Sequence, residues 1–269
     1  MPAIDHEGWK RVLPDLFDSE FYARWAPRFR LISRYFRTTL LHAERIPQRG
    51  GALLVGNHAT WGIDSFALIP EIFAATGRPV RGLAEKLLFA TGLSRGLFAA
   101  FGAVPGVPET AVQLLRAGEL CLCYPGGDRD SFKPWWQRHR LLWERRSGYL
   151  RVALRAGIPI LPVLGVGIDD ALPVVGRDRI FGRRLLGGPR YDLPLLLPGP
   201  LPLPSRFVFE IGEPITLSME DSPSDAAIDQ HHARIWKTCQ QQLDALAQRY
   251  PTPWRDRMAR YAAELHGEP

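Results

Sequence analysis

A chain of 269 residues, 46% of them apolar, can bury one large core, and its length points to a single domain rather than several. Its net charge of +6 is carried mostly by arginine, which suits an anionic partner such as a membrane surface or a phosphorylated ligand; without an RNA-binding signature, zinc-finger spacing or basic zipper, nucleic acid ranks low. The best apolar run, 158–168, is too short to span a bilayer, no apolar leader is visible at the N-terminus, and three cysteines without zinc spacing read as small core residues in a reducing compartment.

Residues 17–41 interleave two aromatic stripes, Phe17, Phe21, Trp25 and then Phe29, Ile32, Phe36, Leu40, with Arg24, Arg28, Arg30, Arg34 and Arg37. Pro27 suits a helix start better than a helix interior, so the spacing predicts a pair of short amphipathic helices. Such a pair could lie among lipid headgroups with its arginines on phosphates, or pack on the protein's own core.

The run 52–55 reads as a buried strand ended by Gly56, and the apolar period of Ile63, Phe66, Ala67, Ile69, Ile72 and Phe73 reads as a helix. Asn57 and His58 therefore fall in the turn, and Asp64 in the helix's first turn. Residues six apart on one ideal helix point roughly 240° apart, so His58 and Asp64 meet only if the chain between them is not helical. Gly62 makes that break plausible. A carboxylate that accepts the proton of one imidazole nitrogen leaves the other as a general base, which is half of an acyl-transfer site. The bland reading is a helix cap with an acid at the positive end of the dipole.

Strands and helices then alternate: strand 80–84, helix 86–101, helix 108–117 with Gly118 just beyond, strand 120–124, helix 141–156 ended by Gly157, and strand 158–166. A strand over 207–212 and a helix over 225–249 close the chain. This order predicts an α/β domain with a largely parallel sheet. Residues 176–205, rich in Pro, Gly, Leu and Arg, read as a long surface excursion suited to a lid or a membrane contact.

The strand at 120–124 runs into Pro125-Gly126-Gly127 and then Arg129. Two glycines let the backbone approach a ligand and present N–H groups, while the guanidinium supplies planar donors; the bland reading is a tight turn with an exposed arginine. Because both clusters follow strands of one sheet, they could share one crevice. Gly92-Leu-Ser94-Arg-Gly96 also matches the G-x-S-x-G pattern of a serine esterase. A nucleophile elbow needs a strand just before the serine, and 86–90 reads as helix.

In order and spacing, RIPQRGGALLVGNH, EKLLFATGLSRGLFAAFGAVPG, LLRAGELCLCYPGGDRD, WERRSGYLRVALRAGIPILPV and IGEPI resemble the glycerolipid acyltransferases of the PlsC-like superfamily, over roughly residues 40–215. The likeness is greatest to the branch of diacylglycerol-type acyltransferases and phytyl ester synthases. With the helical pair read as an N-terminal segment over 1–42, the acyltransferase domain is expected over 43–269. The resemblance implies His58 and Asp64 as catalytic residues, with Asn57, Gly126, Gly127 and Arg129 binding substrate. No metal or cofactor is implied, only acyl-CoA or an acyl carrier protein as co-substrate, and the expected place is the inner, cytoplasmic face of a membrane, as a peripheral protein.

Two departures from the family pattern bear on the acceptor. Five residues rather than the commoner four separate His58 from Asp64, as in the diacylglycerol-type branch, and the block 101–106 lacks the basic residue of phosphate-acceptor members. A neutral lipid or long-chain alcohol is therefore expected. The alternatives are a phosphorylated glycerolipid acceptor, an esterase using Ser94, and a non-catalytic lipid-binding protein using the 17–41 helices and the loop at 177–190. Asp128, between Gly127 and Arg129, leaves open whether Arg129 meets the acceptor, the donor or only Asp130.

Overall fold

The strand Ala52–Gly56 (β2) is buried along its whole length, as expected for a parallel strand covered on both faces. Leu53 and Val55 join one apolar layer, while Ala52 and Leu54 join the other, following the two-residue period of a strand. The computed structural model describes residues 19–89, 96, 98–178, 193–217 and 224–267. Among them a seven-stranded sheet is ordered β1-β9-β6-β2-β5-β3-β4, with β1 Thr39–Leu41, β3 Val80–Ala84, β4 Val104–Pro105, β5 Leu120–Cys123, β6 Ile160–Val166 and β9 Val208–Ile211. Every neighbouring pair is parallel except β6 with β9. The chain is a single α/β domain whose mostly parallel central sheet is flanked by helices.

One face of the sheet carries α1 (Ser19–Tyr35) and α2 (Ile63–Thr76), the other carries α3 (Pro108–Arg116), α5 (Gly148–Ala156) and the long α6 (Asp225–Arg249), and the short α4 (Gly127–Ser131) follows β5. A last helix, α7 (Pro253–Leu265), was not anticipated.

Pro27 marks a break in the pattern of the sequence, but the described residues form one helix running through it, not the expected pair. An interior proline costs roughly 3 kcal/mol. A buried stripe of Tyr22, Ala26, Ser33 and Phe36, with Phe29 packed beside it, offsets that loss. Arg30 makes a two-toothed ion pair with Glu71 of α2, with both bonds at 3.0 Å, and Ser33 Oγ donates to the Ala67 carbonyl at 2.8 Å. The stripe is rotated from the expected one, leaving Trp25 38% exposed.

Residues 141–147 are not helical. Leu141 and Trp143 are buried two apart while Glu144 takes a positive φ of 49°, a pattern a helix cannot hold. Lys86–Phe89, expected to open a longer α-helix, forms a 3₁₀ turn. In the stretch expected as an irregular excursion, Val174–Asp178 (β7) and Leu193–Leu196 (β8) pair antiparallel as a separate two-stranded sheet. Much of the loop at 177–190 lies outside the described residues, as does Ser94. Among the described residues no helix is long and apolar enough to cross a membrane. Cys121 and Cys239 are buried free thiols, each pushed up to about 12 chiefly by burial.

Candidate active site

Three neighbouring strands, β6, β2 and β5, run parallel, and the loops leaving their carboxyl ends build the site. The loop after β2 carries Asn57 and His58. Beyond them the chain makes a 3₁₀ turn over Thr60–Gly62 in which Trp61 (φ 57°, ψ 18°) and Gly62 (φ 72°, ψ 20°) are both left-handed. That reversal is the non-helical break the spacing demanded. It returns the chain so that Asp64, in the first turn of α2, faces His58.

His58 Nδ1 donates to Asp64 Oδ2 at 3.1 Å, and the other carboxylate oxygen accepts the Ala59 N–H at 3.2 Å. Asp64 is fully buried, while the His58 side chain is 20% exposed. With Nδ1 tied inward, ring geometry turns Nε2 away from the carboxylate, leaving it as the proton acceptor. The imidazole lies on the Tyr124 ring with centroids 4.0 Å apart and planes 11° from parallel. Tyr124 shares a 2.9 Å hydrogen bond with Ser65 Oγ, and burial, aided by the nearby Asp64 carboxylate, holds its phenol well above its ordinary pKa. It is a neutral platform for the imidazole.

The Gly-rich turn after β5 lies against the same loop. Ser131 Oγ donates to the Ala59 carbonyl at 2.8 Å, Thr60 Oγ1 donates to the Ser131 carbonyl at 3.1 Å, and Asp130 Oδ2 accepts the His58 N–H at 3.0 Å. The two clusters therefore meet at one place, beyond the carboxyl ends of β2 and β5.

The individual glycines have structural work there. A Cβ on Gly126 would sit 2.3 Å from the Asp130 Cβ, so this glycine makes room for Asp130. Gly127 has φ +52°, and its N–H closes the turn onto the Tyr124 carbonyl at 3.0 Å. Asn57, 2% exposed, spends both ends of its amide on Gly165 in β6, with each bond at 2.8 Å. It fixes the strand ends on which His58 stands.

Arg129 is half exposed and ion-paired with Glu144. Arg146 binds the Gly126 carbonyl at 2.8 Å and Asp128 Oδ1 at 3.1 Å. The ammonium of Lys133, fully buried, lies 3.2 Å from both Asp130 Oδ1 and Asp169 Oδ1. Burial alone would lower its pKa, but the two carboxylates outweigh that and raise it. Burial likewise pushes the Asp169 carboxyl up to about 7 against the pull of Lys133.

Tyr124, Asp130, Lys133, Arg146 and Asp169 were not singled out as site residues in the sequence. A signal existed for some: Asp130 and Lys133 are charges three apart in the segment that follows a buried strand, and Arg146 falls in the WERRSGYL block.

A family model described as Acyltransferase matches residues 37–165. A human protein named "DGAT1/2-independent enzyme synthesizing storage lipids" is 30% identical over 172 residues, covering 64% of this chain and 52% of that one. Phytyl ester synthase 2, chloroplastic, of Arabidopsis thaliana is 27% identical over 208 residues, or 66% of this chain and 29% of that protein. The chain thus spans about half the length of the human relative and less of the plant one. The crystal structure of the 1-acyl-sn-glycerophosphate acyltransferase PlsC from Thermotoga maritima superposes at a TM-score of 0.48 with 18% identity, over 90% of this chain and 85% of that one.

Proposed function

We propose, from its likeness to the Acyltransferase family over residues 37–165 and to the storage-lipid enzyme and phytyl ester synthase, that the chain transfers a fatty acyl chain from an acyl thioester, acyl-CoA or acyl carrier protein, to the hydroxyl of a neutral lipid or long-chain alcohol. The observation that carries this reading is the buried Asp64 carboxylate holding Nδ1 of a partly exposed His58 at 3.1 Å, where two strand-end loops meet.

In this reading His58 Nε2 takes the proton of the acceptor hydroxyl as its oxygen attacks the thioester carbonyl, and Asp64 stabilises the imidazolium that forms. The carbon–sulfur bond then breaks, and the thiolate leaves with the proton that Nε2 returns. No acyl-enzyme forms. Base catalysis at roughly 10²–10⁴-fold, together with positioning, suffices for an ester already activated as a thioester.

A neutral acceptor is favoured by the charges around the His58 loop. Arg129, Arg146 and Lys133 each already face a carboxylate, respectively Glu144, Asp128, and the pair Asp130 and Asp169. An added phosphate would have to displace one of them. Contact with a bilayer is favoured by a rim of exposed apolar side chains, Leu31 at 60%, Leu197 at 62% and Leu201 at 80%. Tyr35 Oη joins the two parts of that rim through a 2.8 Å bond to the Pro202 carbonyl, and Arg28 and Arg34 are exposed on the same helix.

The test is a mass-spectrometric screen of the purified protein with acyl-CoA and acyl carrier protein donors against neutral and phosphorylated acceptors. Esters of neutral alcohols are expected. Phosphatidate as the product would overturn the neutral-acceptor assignment.

A further inference from the structure

Directly beneath the catalytic loop, Asp130 and Lys133 are both completely buried. Replacing a buried ion pair by apolar residues of similar size is often neutral or stabilising, so stability alone explains such a pair poorly. What it touches is more informative. One oxygen of Asp130 accepts the main-chain N–H of His58 at 3.0 Å, and the other takes the Lys133 ammonium at 3.2 Å and the Leu142 N–H at 3.5 Å.

Lys133 has three N–H donors, and three oxygens lie around it: Asp130 Oδ1 at 3.2 Å, the Asp130 carbonyl at 3.3 Å and Asp169 Oδ1 at 3.2 Å. Asp169 follows β6, Asp130 follows β5 and His58 follows β2. The ammonium therefore joins the loops after β5 and β6, and Asp130 carries the connection on to His58 after β2. The close approach of Gly126 to the Asp130 Cβ fits the same arrangement, since any side chain at 126 would push the carboxylate off the His58 N–H.

We propose that Asp130, fixed by Lys133 and Asp169, is a positioning residue for the transfer reaction: it grips the main chain of His58 while Asp64 grips the ring, so that Nε2 is held at one point. This rests on the reading of His58 as the base. Each grip controls what the other cannot. Asp64 sets the tautomer and ring orientation, and Asp130 sets where the ring's own backbone stands. Displacement of a reacting group by about 1 Å costs on the order of 10²-fold in rate.

The test uses Asp130→Asn, which keeps the shape, and Lys133→Met, which leaves the carboxylate without its cation. Each is assayed well below its unfolding midpoint, with folding checked by near-ultraviolet circular dichroism. Asp130→Asn should fold and lose on the order of 10²-fold in kcat while the KM for donor and acceptor stays within about two-fold. Lys133→Met should change kcat in the same direction if it folds. A purely structural role predicts a lower midpoint but an unchanged kcat per folded molecule, and that result would overturn the proposal.

Histidine ¹⁵N resonances give a readout independent of turnover. The His58 main-chain amide should shift in both variants, while the ring keeps the tautomer set by Asp64. Unchanged amide and ring signals in folded Asp130→Asn would refute the positioning role whether or not transfer is detected. Wild-type protein that transfers nothing, but shows the amide shift in the variants, would refute the transferase reading and leave the grip on His58 standing.

Discussion

Replacing Asp64 by Asn tests the dyad with almost no change of shape. Asp64 is fully buried and its carboxylate accepts two bonds, from His58 Nδ1 at 3.1 Å and from the Ala59 N–H at 3.2 Å. An amide has one oxygen and one NH₂ for those two partners. If the oxygen faces Nδ1–H, the NH₂ confronts the Ala59 N–H, and a buried donor without an acceptor costs about 1–3 kcal/mol. The amide therefore turns over, placing its oxygen on Ala59 and its NH₂ on Nδ1. The imidazole must then carry its proton on Nε2, where it cannot act as a base. The variant should fold, with a kcat lower by roughly 10²–10⁴-fold, or about 3–5 kcal/mol of barrier, and with little change in KM. Thiol release from acyl-CoA, measured alongside ester formation, reads this directly. An Asp64→Asn protein with kcat within about three-fold of wild type would refute the reasoning.

Gly126→Ala should lose activity and about 1–3 kcal/mol of stability in urea unfolding, because the new methyl would sit 2.3 Å from the Asp130 Cβ; a stable, fully active variant would contradict the packing described. Asp169, buried and pushed from 3.8 to about 7, binds its proton more tightly in the folded chain than in the unfolded one, so its contribution to stability is full below its unfolded pKa and lost as pH rises through about 7. Urea unfolding from pH 4 to 8 should show that decline in wild type and not in Asp169→Asn. His139, pushed down to about 4 by burial, bends both curves alike, so their difference isolates Asp169. Leu201→Asp, at a side chain 80% exposed, should weaken binding to anionic vesicles by roughly 10-fold without altering the melting midpoint. Unchanged binding would remove this loop from the membrane face.

The parts of the fold legible in the sequence are those in which local pattern and tertiary packing agree. The strand at 80–84, the start of α2 at Ile63 and the helix at 225–249 were all readable from period and punctuation, and Gly157, with φ +69°, ends α5 as expected of a left-handed cap. Local signals misled where distant packing decided. Pro27 looks like a boundary, yet the face around Tyr22, Ala26 and Phe36 carries the helix through it. Residues 141–147 have helical-looking composition, but Leu141 and Trp143 are drawn into the core at a spacing of two.

The site divides in the same way. His58 and Asp64 are six positions apart, so a local argument could ask how they meet, and the left-handed pair Trp61 and Gly62 is the answer. The bonds of Asp130 to His58 and of Asn57 to Gly165 span 72 and 108 positions. No local pattern encodes those contacts. That is why Asn57 and Gly126 read as ligand contacts from the sequence, whereas in the structure one clamps β6 and the other makes room for Asp130.

The central claim is that the imidazole of His58 removes the acceptor's proton during direct transfer from a thioester. It is tested most directly by following free thiol and new ester together with purified wild-type protein and with His58→Ala, after circular dichroism has shown the variant folded. Wild type should release one thiol for each ester formed, and His58→Ala should form no ester above the uncatalysed background. A folded His58→Ala protein that makes ester at the wild-type rate would contradict the account.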